Sequence, residues 1–485
     1  MIQLVPILLP AVAAVLAYYA RRAANRTALL LGAAGVHLVA VAGLWTTPRA
    51  VTLAGWLAVD GLGLIVLTLI SILFVVVANY AVGWLRTRSA REGRVFVSGM
   101  LAFLAAASLV ALSHHLALLW VGMEATTLSM APLIYDRHDR RSLEAVWKYL
   151  MLSSVGIALA LLAVFLLATA QPLSPEVRPL VLDDLIAGAP SLDRWWLRAA
   201  FVFALAGFGT KMGLAPMHTW KPDTYGEAPS LVGGLMAGGV TSCAFVGLAR
   251  FTQVLAAAGL ADFARPLLLG FGLFSLVVAA GFIVGQADVK RLLAYSSVEH
   301  MGLLVLGLGV GGLGTYGAVL HALNNGLIKG WLFLVVGNLV LAAGSPAAAD
   351  LRGMLRARPV SAMLVVAGLF AVTGSPPFGL FLSQFAIVSG AVREQHPVVA
   401  VVALLLLAVI FVGIARMILD MVLGEGEGEG ERSEPQALGA GREGAWMVAG
   451  PLALAALVLM LGSYLPAPLR AELAGAAVSL GGSAP

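Results

Sequence analysis

Four ionisable side chains lie inside long hydrophobic segments, and these residues have the greatest capacity for chemistry. Glu124 and Lys211 each occur in an apolar run, and His321 and Lys329 share a third. A charged side chain at the centre of a bilayer costs about 2.5–3.5 kcal/mol on insertion scales, so proteins keep such groups where they face water, a counter-ion or a proton path. The pattern therefore predicts a chain of titratable groups across a membrane.

Glu124 and Lys211 are expected to form a pair. Burial pushes a lone carboxyl toward its neutral form, whereas a nearby lysine favours the ionised form. The functional interpretation is a proton-loading site, and the structural alternative is a buried ion pair. His218 follows Lys211 by seven residues, but Pro216 interrupts a helix between them. His218 is therefore expected to be either a proton relay or a hydrogen-bond donor at a helix end.

A second polar series follows a later segment. His321, Asn325 and Lys329 are four residues apart, which places them along one helix face. They are expected to organise water between two sites, or alternatively to hold a bent helix in place. Glu299 and His300 are adjacent, and adjacent helical residues point about 100° apart, so they need not face the same path. A proton role stays open for each.

The composition identifies the solvent of these segments. The chain has 485 residues, of which 60% are hydrophobic and 11% charged, and its mean hydropathy is +0.95. Soluble proteins carry about 25% charged residues, so an integral membrane protein is expected. Basic residues are spread over short loops, which does not indicate nucleic-acid binding. The single cysteine, Cys243, excludes an internal disulfide and a cysteine-ligated iron–sulfur cluster. We expect no cofactor and no metal on this chain.

About fourteen segments reach the length of a membrane span. They lie near residues 2–20, 28–46, 58–85, 95–113, 115–135, 149–170, 199–217, 229–249, 264–285, 292–310, 314–343, 359–378, 398–423 and 444–466. The first is read as a span rather than a signal peptide because it lacks a basic start. Segment 314–343 is long for one span and is expected to be bent or broken.

Loop charges predict an orientation for these spans. Loops after odd-numbered spans carry 19 lysines and arginines, whereas loops after even-numbered spans and the C-terminal tail carry 8. The positive-inside rule then places the odd-numbered loops in the cytoplasm and both termini outside.

Two of the predicted spans are interrupted at matching positions. The seventh contains a break at residues 211–220 and the twelfth at residues 374–385, five spans later. Broken helices in inverted repeats mark ion sites in transporters. We therefore predict an all-α integral membrane protein with about 14 transmembrane helices and two inverted five-helix repeats. The predicted divisions are residues 1–94 (helices 1–3), 95–250 (first repeat), 251–423 (second repeat), 424–443 (acidic Gly/Glu linker) and 444–485 (C-terminal helix 14).

Several long motifs resemble the antiporter-like membrane subunits of respiratory complex I, Mrp antiporters and membrane-bound group 4 nickel–iron hydrogenases. They are WVGMEATTLS, RRSLEAVWKYLMLSSVGIALAL, GTKMGLAPMHTWKPDTYGEAP, RLLAYSSVEHMG and LHALNNGLIKGWLFLVVGN, within roughly residues 55–395. AYSSVEHMG and EAVWKY are most similar to the hydrogenase-4 component F type. The resemblance implies fourteen helices and proton translocation coupled to redox chemistry in a partner arm. It also implies that Glu124 and Lys211 load protons and that His321 and Lys329 relay them.

Three positions depart from the pattern of that family. Ser242 stands where many complex I members carry a lysine, and Asn325 stands where a second histidine is common. Gln384 stands near the place of an acid or lysine in the broken twelfth span. A glutamine cannot take up or release a proton at physiological pH. Either water, Glu299 or a residue of a neighbouring subunit completes the exit path, or this subunit does not pump protons.

The leading expectation is a proton-translocating, antiporter-like subunit of a multisubunit redox complex of hydrogenase-4/formate hydrogenlyase or NADH–quinone oxidoreductase type. It would lie in a bacterial or archaeal cytoplasmic membrane, without a redox active site of its own. Its partners would be other membrane subunits and a peripheral iron–sulfur, hydrogenase-like or NADH module. The alternatives are a cation/proton antiporter or ion-coupled uptake module without redox chemistry, and a non-conducting scaffold, for which Gln384 is the best argument.

Overall fold

The computed structural model describes residues 2–47, 51–86, 89–172, 180–424 and 443–483. Most of these residues are helical, and one short antiparallel hairpin pairs β1 (Val51–Thr52) with β2 (Leu57–Ala58). The predicted acidic linker, apart from its first and last residues, lies outside the described residues.

The first eight spans and the loops between them contain eleven helices. These are α1 (Val5–Tyr19), α2 (Ala23–Leu44), α3 (Gly61–Leu85), α4 (Ala90–Leu112), α5 (Leu116–Ile134), α6 (Arg140–Thr169), α7 (Leu182–Ala187), α8 (Arg194–Met212), α9 (Trp220–Glu227), α10 (Ser230–Leu235) and α11 (Thr241–Ala257). Helix α7 is a short helix in the loop before the seventh span. A π-helical turn, Met236–Val240, joins α10 and α11 into one span.

The remaining spans contain nine helices. These are α12 (Ala261–Ile283), α13 (Val289–Val310), α14 (Gly312–Ala343), α15 (Met354–Ala357), α16 (Pro359–Val372), α17 (Gly379–Arg393), α18 (Pro397–Leu423), α19 (Ala445–Ser463) and α20 (Ala467–Ser479). Helix α14 is continuous over 32 residues, so the break expected there is absent. It packs against α3, α10, α13, α16, α17 and α19, and this close surround explains how so long a helix stays intact. Helix α20 was not anticipated, and it packs on α3 and α14.

Twelve of the described helices are long and apolar enough to cross a membrane, when α10 to α11 is counted as one. The two other spans are discontinuous: α8 with α9 forms the seventh, and α16 with α17 forms the twelfth. Together they give fourteen spans, which confirms the predicted all-α fold with two inverted five-helix repeats. The assignment of these repeats to particular residue ranges stays a prediction.

The break in the seventh span follows from local sequence. Gly213 ends α8 with a φ of +77°, a conformation that costs a residue with a Cβ atom more than it costs glycine. The carbonyl of Thr210, near the end of α8, accepts hydrogen bonds from the Trp220 indole at 2.8 Å and from the Gly213 amide at 3.0 Å. The Ala215 amide donates to the Ser275 hydroxyl at 3.0 Å. Protein partners therefore stabilise irregular backbone at membrane depth.

The break in the twelfth span has a similar construction. Gly374 follows α16 with a φ of +71°, and the Ser375 amide donates to the Phe370 carbonyl at 2.9 Å. At the start of α17, the Asn324 side chain on α14 donates to the Gly379 carbonyl at 3.1 Å. Each break thus contains a left-handed glycine and backbone groups that bond to partners outside their own helix or across the break.

Three of the residues counted above as loop charges are in fact almost completely buried. Lys221 lies in α9, Arg250 in α11 and Lys290 in the first turn of α13, and each is at most 2% exposed. Arg250 forms two hydrogen bonds with Asp60, at 2.6 and 2.7 Å, and ties α11 to the start of α3. Those three assignments to loops were wrong. The charge difference between the two sets of loops remains large without them.

Candidate functional site

Glu124, Thr127 and Lys211 form a first cluster between α5 and α8. The Lys211 ammonium is fully buried and donates a hydrogen bond to the Thr127 hydroxyl. That hydroxyl lies 3.3 Å from Oε2 of Glu124, which is half-buried. Glu124 and Lys211 are therefore brought together, but a hydroxyl stands between them in place of direct contact. A hydroxyl can donate and accept at once, so the bridge can pass a proton.

Tyr149 on α6 completes the surroundings of the Lys211 ammonium. Its hydroxyl lies 3.4 Å from Nζ, and Nζ lies 4.8 Å from the centre of its ring. An aromatic face attracts a cation by cation–π interaction, and the attraction grows when water is excluded. Tyr149 thus helps to hold a charged lysine inside the protein. The sequence analysis did not identify it.

Glu299, Ser296 and Lys329 form a second cluster between α13 and α14. The Lys329 ammonium donates to the Ser296 hydroxyl at 2.7 Å and to the Leu293 carbonyl at 3.3 Å. The same hydroxyl lies 3.3 Å from Oε2 of Glu299. All three side chains of the cluster are buried. The order of groups is again acid, hydroxyl and lysine.

His300 and His321 form a histidine pair beside the second cluster. Their Nδ1 and Nε2 atoms lie 3.1 Å apart, which makes them direct hydrogen-bond partners. The other ring nitrogen of His321 bonds the Ser383 hydroxyl of the broken twelfth span at 2.9 Å. Gln384 follows Ser383 and is nearly buried. Glu299 and His300 thus have different partners, as their angular separation on a helix requires.

The structure leaves three predicted residues outside these hydrogen-bonded groups: His218, Asn325 and Gln384. Both amide atoms of Asn325 are buried without a partner among the described residues, as is Nδ1 of His218. The His218 ring instead packs 6.2 Å from the ring of Tyr295. Buried polar atoms normally find a partner, so the unpaired atoms of Asn325 and His218 are exceptions among the described residues. The structure does not bond His218 to Lys211.

Sequence reasoning missed the hydroxyl groups that connect the acids to the lysines. Thr127 lies three residues after Glu124, and Ser296 lies three residues before Glu299. Residues three apart share a helix face, so a hydroxyl at that distance from a membrane acid was a usable signal. Serines and threonines are common at helix contacts in membranes, however, and spacing alone did not distinguish these two.

The arrangement is suited to moving protons through the protein interior. Proton transfer requires donor and acceptor within about 2.6–3.2 Å or joined by one water molecule. The first cluster, the second cluster and the histidine pair each contain groups at or near this distance. They also occupy several different helices, so the path would cross the body of the protein.

Comparison with known proteins agrees with this geometry. The fold and the buried lysines, acids and histidines define a class of multi-pass membrane subunits related to ion antiporters. The family model described as "NADH:quinone oxidoreductase/Mrp antiporter, TM" matches residues 113–410, more than half of the chain. The chain therefore belongs to this family.

Individual relatives support the same assignment. A "Hydrogenase-4 component F homolog" of Methylacidiphilum infernorum is 36% identical over 313 residues, which cover 64% of this chain and 66% of that protein, slightly less than two thirds of its length. An "NADH-quinone oxidoreductase subunit N" of Desulforudis audaxviator is 32% identical over 378 residues, covering 74% of this chain and 73% of that protein. The chain is thus similar to antiporter-like subunits of both kinds of complex.

The fold also matches a solved structure. A chain of the membrane-bound sulfane sulfur reductase, an archaeal respiratory membrane complex, superimposes with a TM-score of 0.87. The match covers 99% of this chain and 98% of that chain, at 21% sequence identity. This similarity establishes the fold over almost the whole length.

Proposed function

We propose that this chain translocates protons as an antiporter-like subunit of a multisubunit redox complex of the hydrogenase-4 or NADH–quinone oxidoreductase type. One observation carries the proposal: two buried lysines in the membrane interior are each joined to an acid through a hydroxyl. Proteins seldom keep such groups for stability, because a buried ion pair is often no better than apolar packing.

The first cluster would load the proton. A charged Glu124 stabilises the ammonium form of Lys211 through the Thr127 bridge, and weakening that link favours release of the proton from Lys211. The second cluster and the histidine pair would receive it. Family membership and the similarity to subunits of redox complexes support the proposed proton translocation.

The proposal includes the surroundings of the chain. Other membrane subunits and a peripheral redox arm would be its partners, in a bacterial or archaeal cytoplasmic membrane. Both termini would lie outside, because the loops rich in arginine and lysine belong in the cytoplasm. Redox chemistry would occur on the partner arm, and this chain would carry no cofactor.

Glu124→Gln tests the proposal. The variant keeps the size and the hydrogen-bonding capacity of the side chain but removes its charge. In the purified complex, reconstituted in liposomes containing a pH-sensitive dye, proton uptake per redox turnover should fall by about 100-fold, at the lower end of the contribution of a positioned proton-transfer group. Unchanged uptake at matched turnover would contradict the assignment.

Glu144→Gln is the matched control. Glu144 lies on the surface of α6, where its side chain is 65% exposed and pairs with Lys148 at 2.7 Å. Exposed pairs of this kind contribute little to stability, at most about 1 kcal/mol. Proton uptake should therefore stay at the parent value in this variant.

Cation/proton antiport is the second candidate, because the family model includes the Mrp antiporters. The same proton path could serve it, and the distinction is in the partners and the driving ion. A sodium gradient that drives proton movement in the reconstituted protein, without any electron donor, would favour antiport. Proton uptake that requires an electron donor would favour the redox complex.

A further inference from the structure

Lys221 is a third buried lysine, and the proton path described above does not use it. It lies in α9, directly after the break in the seventh span, and its side chain is fully buried. Its ammonium donates one hydrogen bond, to the Ser297 hydroxyl of α13 at 2.9 Å. Among the described residues, it has no carboxylate partner. Such a lysine carries the full cost of burial without an ion pair to offset it.

The neighbours of Lys221 belong to the second cluster and the histidine pair. Ser297, its hydrogen-bond partner, is adjacent in sequence to Ser296, which binds Lys329. Lys329 and His300 are close enough to interact with Lys221 electrostatically. Two lysines so placed cannot both be ammonium ions cheaply, because like charges in a low-dielectric interior repel strongly. A proton on one therefore disfavours a proton on the other.

Aromatic residues connect Lys221 to the first cluster. Tyr149 bonds Lys211, and its ring lies 5.3 Å from the ring of Trp220. The ring centres of Trp220 and Tyr225 lie 6.1 Å apart, and the centre of the Tyr225 ring lies 5.8 Å from Nζ of Lys221. Lys221 thus stands on the route from the first cluster to the second.

The two broken spans differ at one corresponding position. A Cβ atom at Gly213 would overlap the Lys221 side chain, and a Cβ atom at Gly374 would overlap the Gln384 side chain. Each left-handed glycine therefore makes room for a polar side chain from the segment after the break. That side chain is titratable in the seventh span and not in the twelfth.

We propose that Lys221 carries the proton between Lys211 and Lys329. This inference rests on the proposed function and identifies its connecting residue. In the first step, an N–H bond of the Lys211 ammonium breaks and one forms on the neutral Lys221 amine, with the Tyr149 hydroxyl or water between them. In the second step, the Lys221 ammonium gives its proton to the neutral Lys329 amine, with the Ser297 hydroxyl beside Lys221, the Ser296 hydroxyl beside Lys329 and water between the two hydroxyls. One proton moves in each step, and no other reactant is needed.

Two substitutions at this position separate a carrier from a structural residue. Lys221→Gln keeps a hydrogen-bond donor for Ser297, and Lys221→Arg keeps both the donors and the charge, but neither group exchanges a proton at physiological pH. In the reconstituted complex, both variants should lower proton uptake per redox turnover at least about tenfold, a threshold set below the roughly 100- to 10,000-fold contribution of a positioned proton-transfer group. If either variant keeps the parent ratio of protons to turnovers, Lys221 is structural and the inference is overturned.

A control and a fallback complete the test. Lys290→Gln alters another buried lysine, which donates to the Gly226 and Ala228 carbonyls at 2.7 and 2.6 Å, and it should keep the parent ratio. A comparable loss in that control would assign both lysines to structure and would overturn the inference. If the Lys221 variants fail to assemble with their partner subunits, Ser297→Ala replaces them. It removes the partner of Lys221 and should lower the ratio severalfold, and an unchanged ratio would refute the carrier role.

Lys211→Met distinguishes failure of this inference from failure of the proposed function. Loss of uptake in Lys211→Met, with normal uptake in both Lys221 variants, would leave the proposed function in place and remove Lys221 from the path. Normal uptake in all three variants would remove both. Loss in all three, with a normal Lys290→Gln control, is the expected result.

Discussion

The first and second clusters contain the same three groups in different surroundings. In each, a hydroxyl three residues from the acid lies between that acid and a lysine of a neighbouring helix. Glu124 of the first cluster is half-buried, whereas Glu299 of the second cluster is 1% exposed. The first cluster can therefore respond to a neighbouring subunit. The second exchanges protons only through groups of its own chain.

The helices that carry the two lysines also differ, in how freely each lysine can move. Lys211 lies in the last turn of α8, two residues before the left-handed Gly213. Lys329 lies within the continuous helix α14 and is surrounded by buried residues. A lysine at a helix break can shift with small backbone changes, whereas one inside a packed helix cannot. If the first cluster loads the proton as proposed, the loading site is the more mobile of the two and the receiving site the more rigid.

Removing the lysine of each cluster should give the largest effects and should separate the two sites by stability. Lys211→Met and Lys329→Met should both reduce proton uptake per turnover by about 100-fold or more. Only Lys329→Met leaves a fully buried acid without its lysine, a change that costs about 3–5 kcal/mol when the acid stays charged. It should therefore lower the melting temperature of the purified complex more than Lys211→Met does. An equal or larger fall for Lys211→Met would contradict the distinction between the first cluster, whose acid is half-buried, and the second cluster, whose acid is fully buried.

Removing the bridging hydroxyls should have an intermediate effect. Thr127→Val and Ser296→Ala each delete a hydrogen bond to a lysine, and a bond to a charged group contributes about 1.5–3 kcal/mol, so uptake should fall at least tenfold. The loss of proton uptake should be greater for Ser296→Ala, because water from the surface cannot replace the missing hydroxyl in the fully buried second cluster. Initial rates of dye response in liposomes measure both.

Conservative exchanges are the controls for these hydroxyl variants. Thr127→Ser and Ser296→Thr keep the oxygen and should retain most of the uptake. If Thr127→Val and Thr127→Ser behave alike, the hydroxyl is not part of the path, and the shared construction of the two clusters has no functional meaning.

Most of the fold could be predicted because the signals are local. The length of each apolar run sets the number of spans, and Pro216 with Gly213 is enough to end α8. Lys221 was misassigned because the short helix α9, Trp220–Glu227, is too polar to count as part of a span. A hydropathy window cannot distinguish a loop in water from a polar helix buried in protein. Only the packing of α9 against α6 and α13 shows the difference.

The types of residue in the site could be predicted from the sequence, but the hydrogen-bond partners of these residues could not. Acids and lysines at membrane depth are rare, so Lys211 and Lys329 were identified correctly as buried groups, whereas Glu124 is only half-buried. The contact of His300 with His321 joins residues on two helices, and no spacing rule indicates how those helices are rotated. Side-chain partners across helices therefore required the three-dimensional structure.

Gln384→Glu should have the smallest effect on proton uptake. It tests whether the buried second cluster needs a further titratable group. Gln384 lies beside Ser383, which binds His321, and Nε2 of Gln384 is buried without a partner among the described residues. If Lys221, the second cluster and the histidine pair already provide a complete set of titratable groups, a new acid at this position adds little. Proton uptake per turnover should then stay within about twofold of the parent, well below the effect of a missing transfer group. Gln384→Met, of similar size and without hydrogen-bonding atoms, is the matched control. A large rise in uptake with Gln384→Glu, in a chain where Lys211→Met has no effect, would mean that the native glutamine blocks the path and that this subunit is a scaffold.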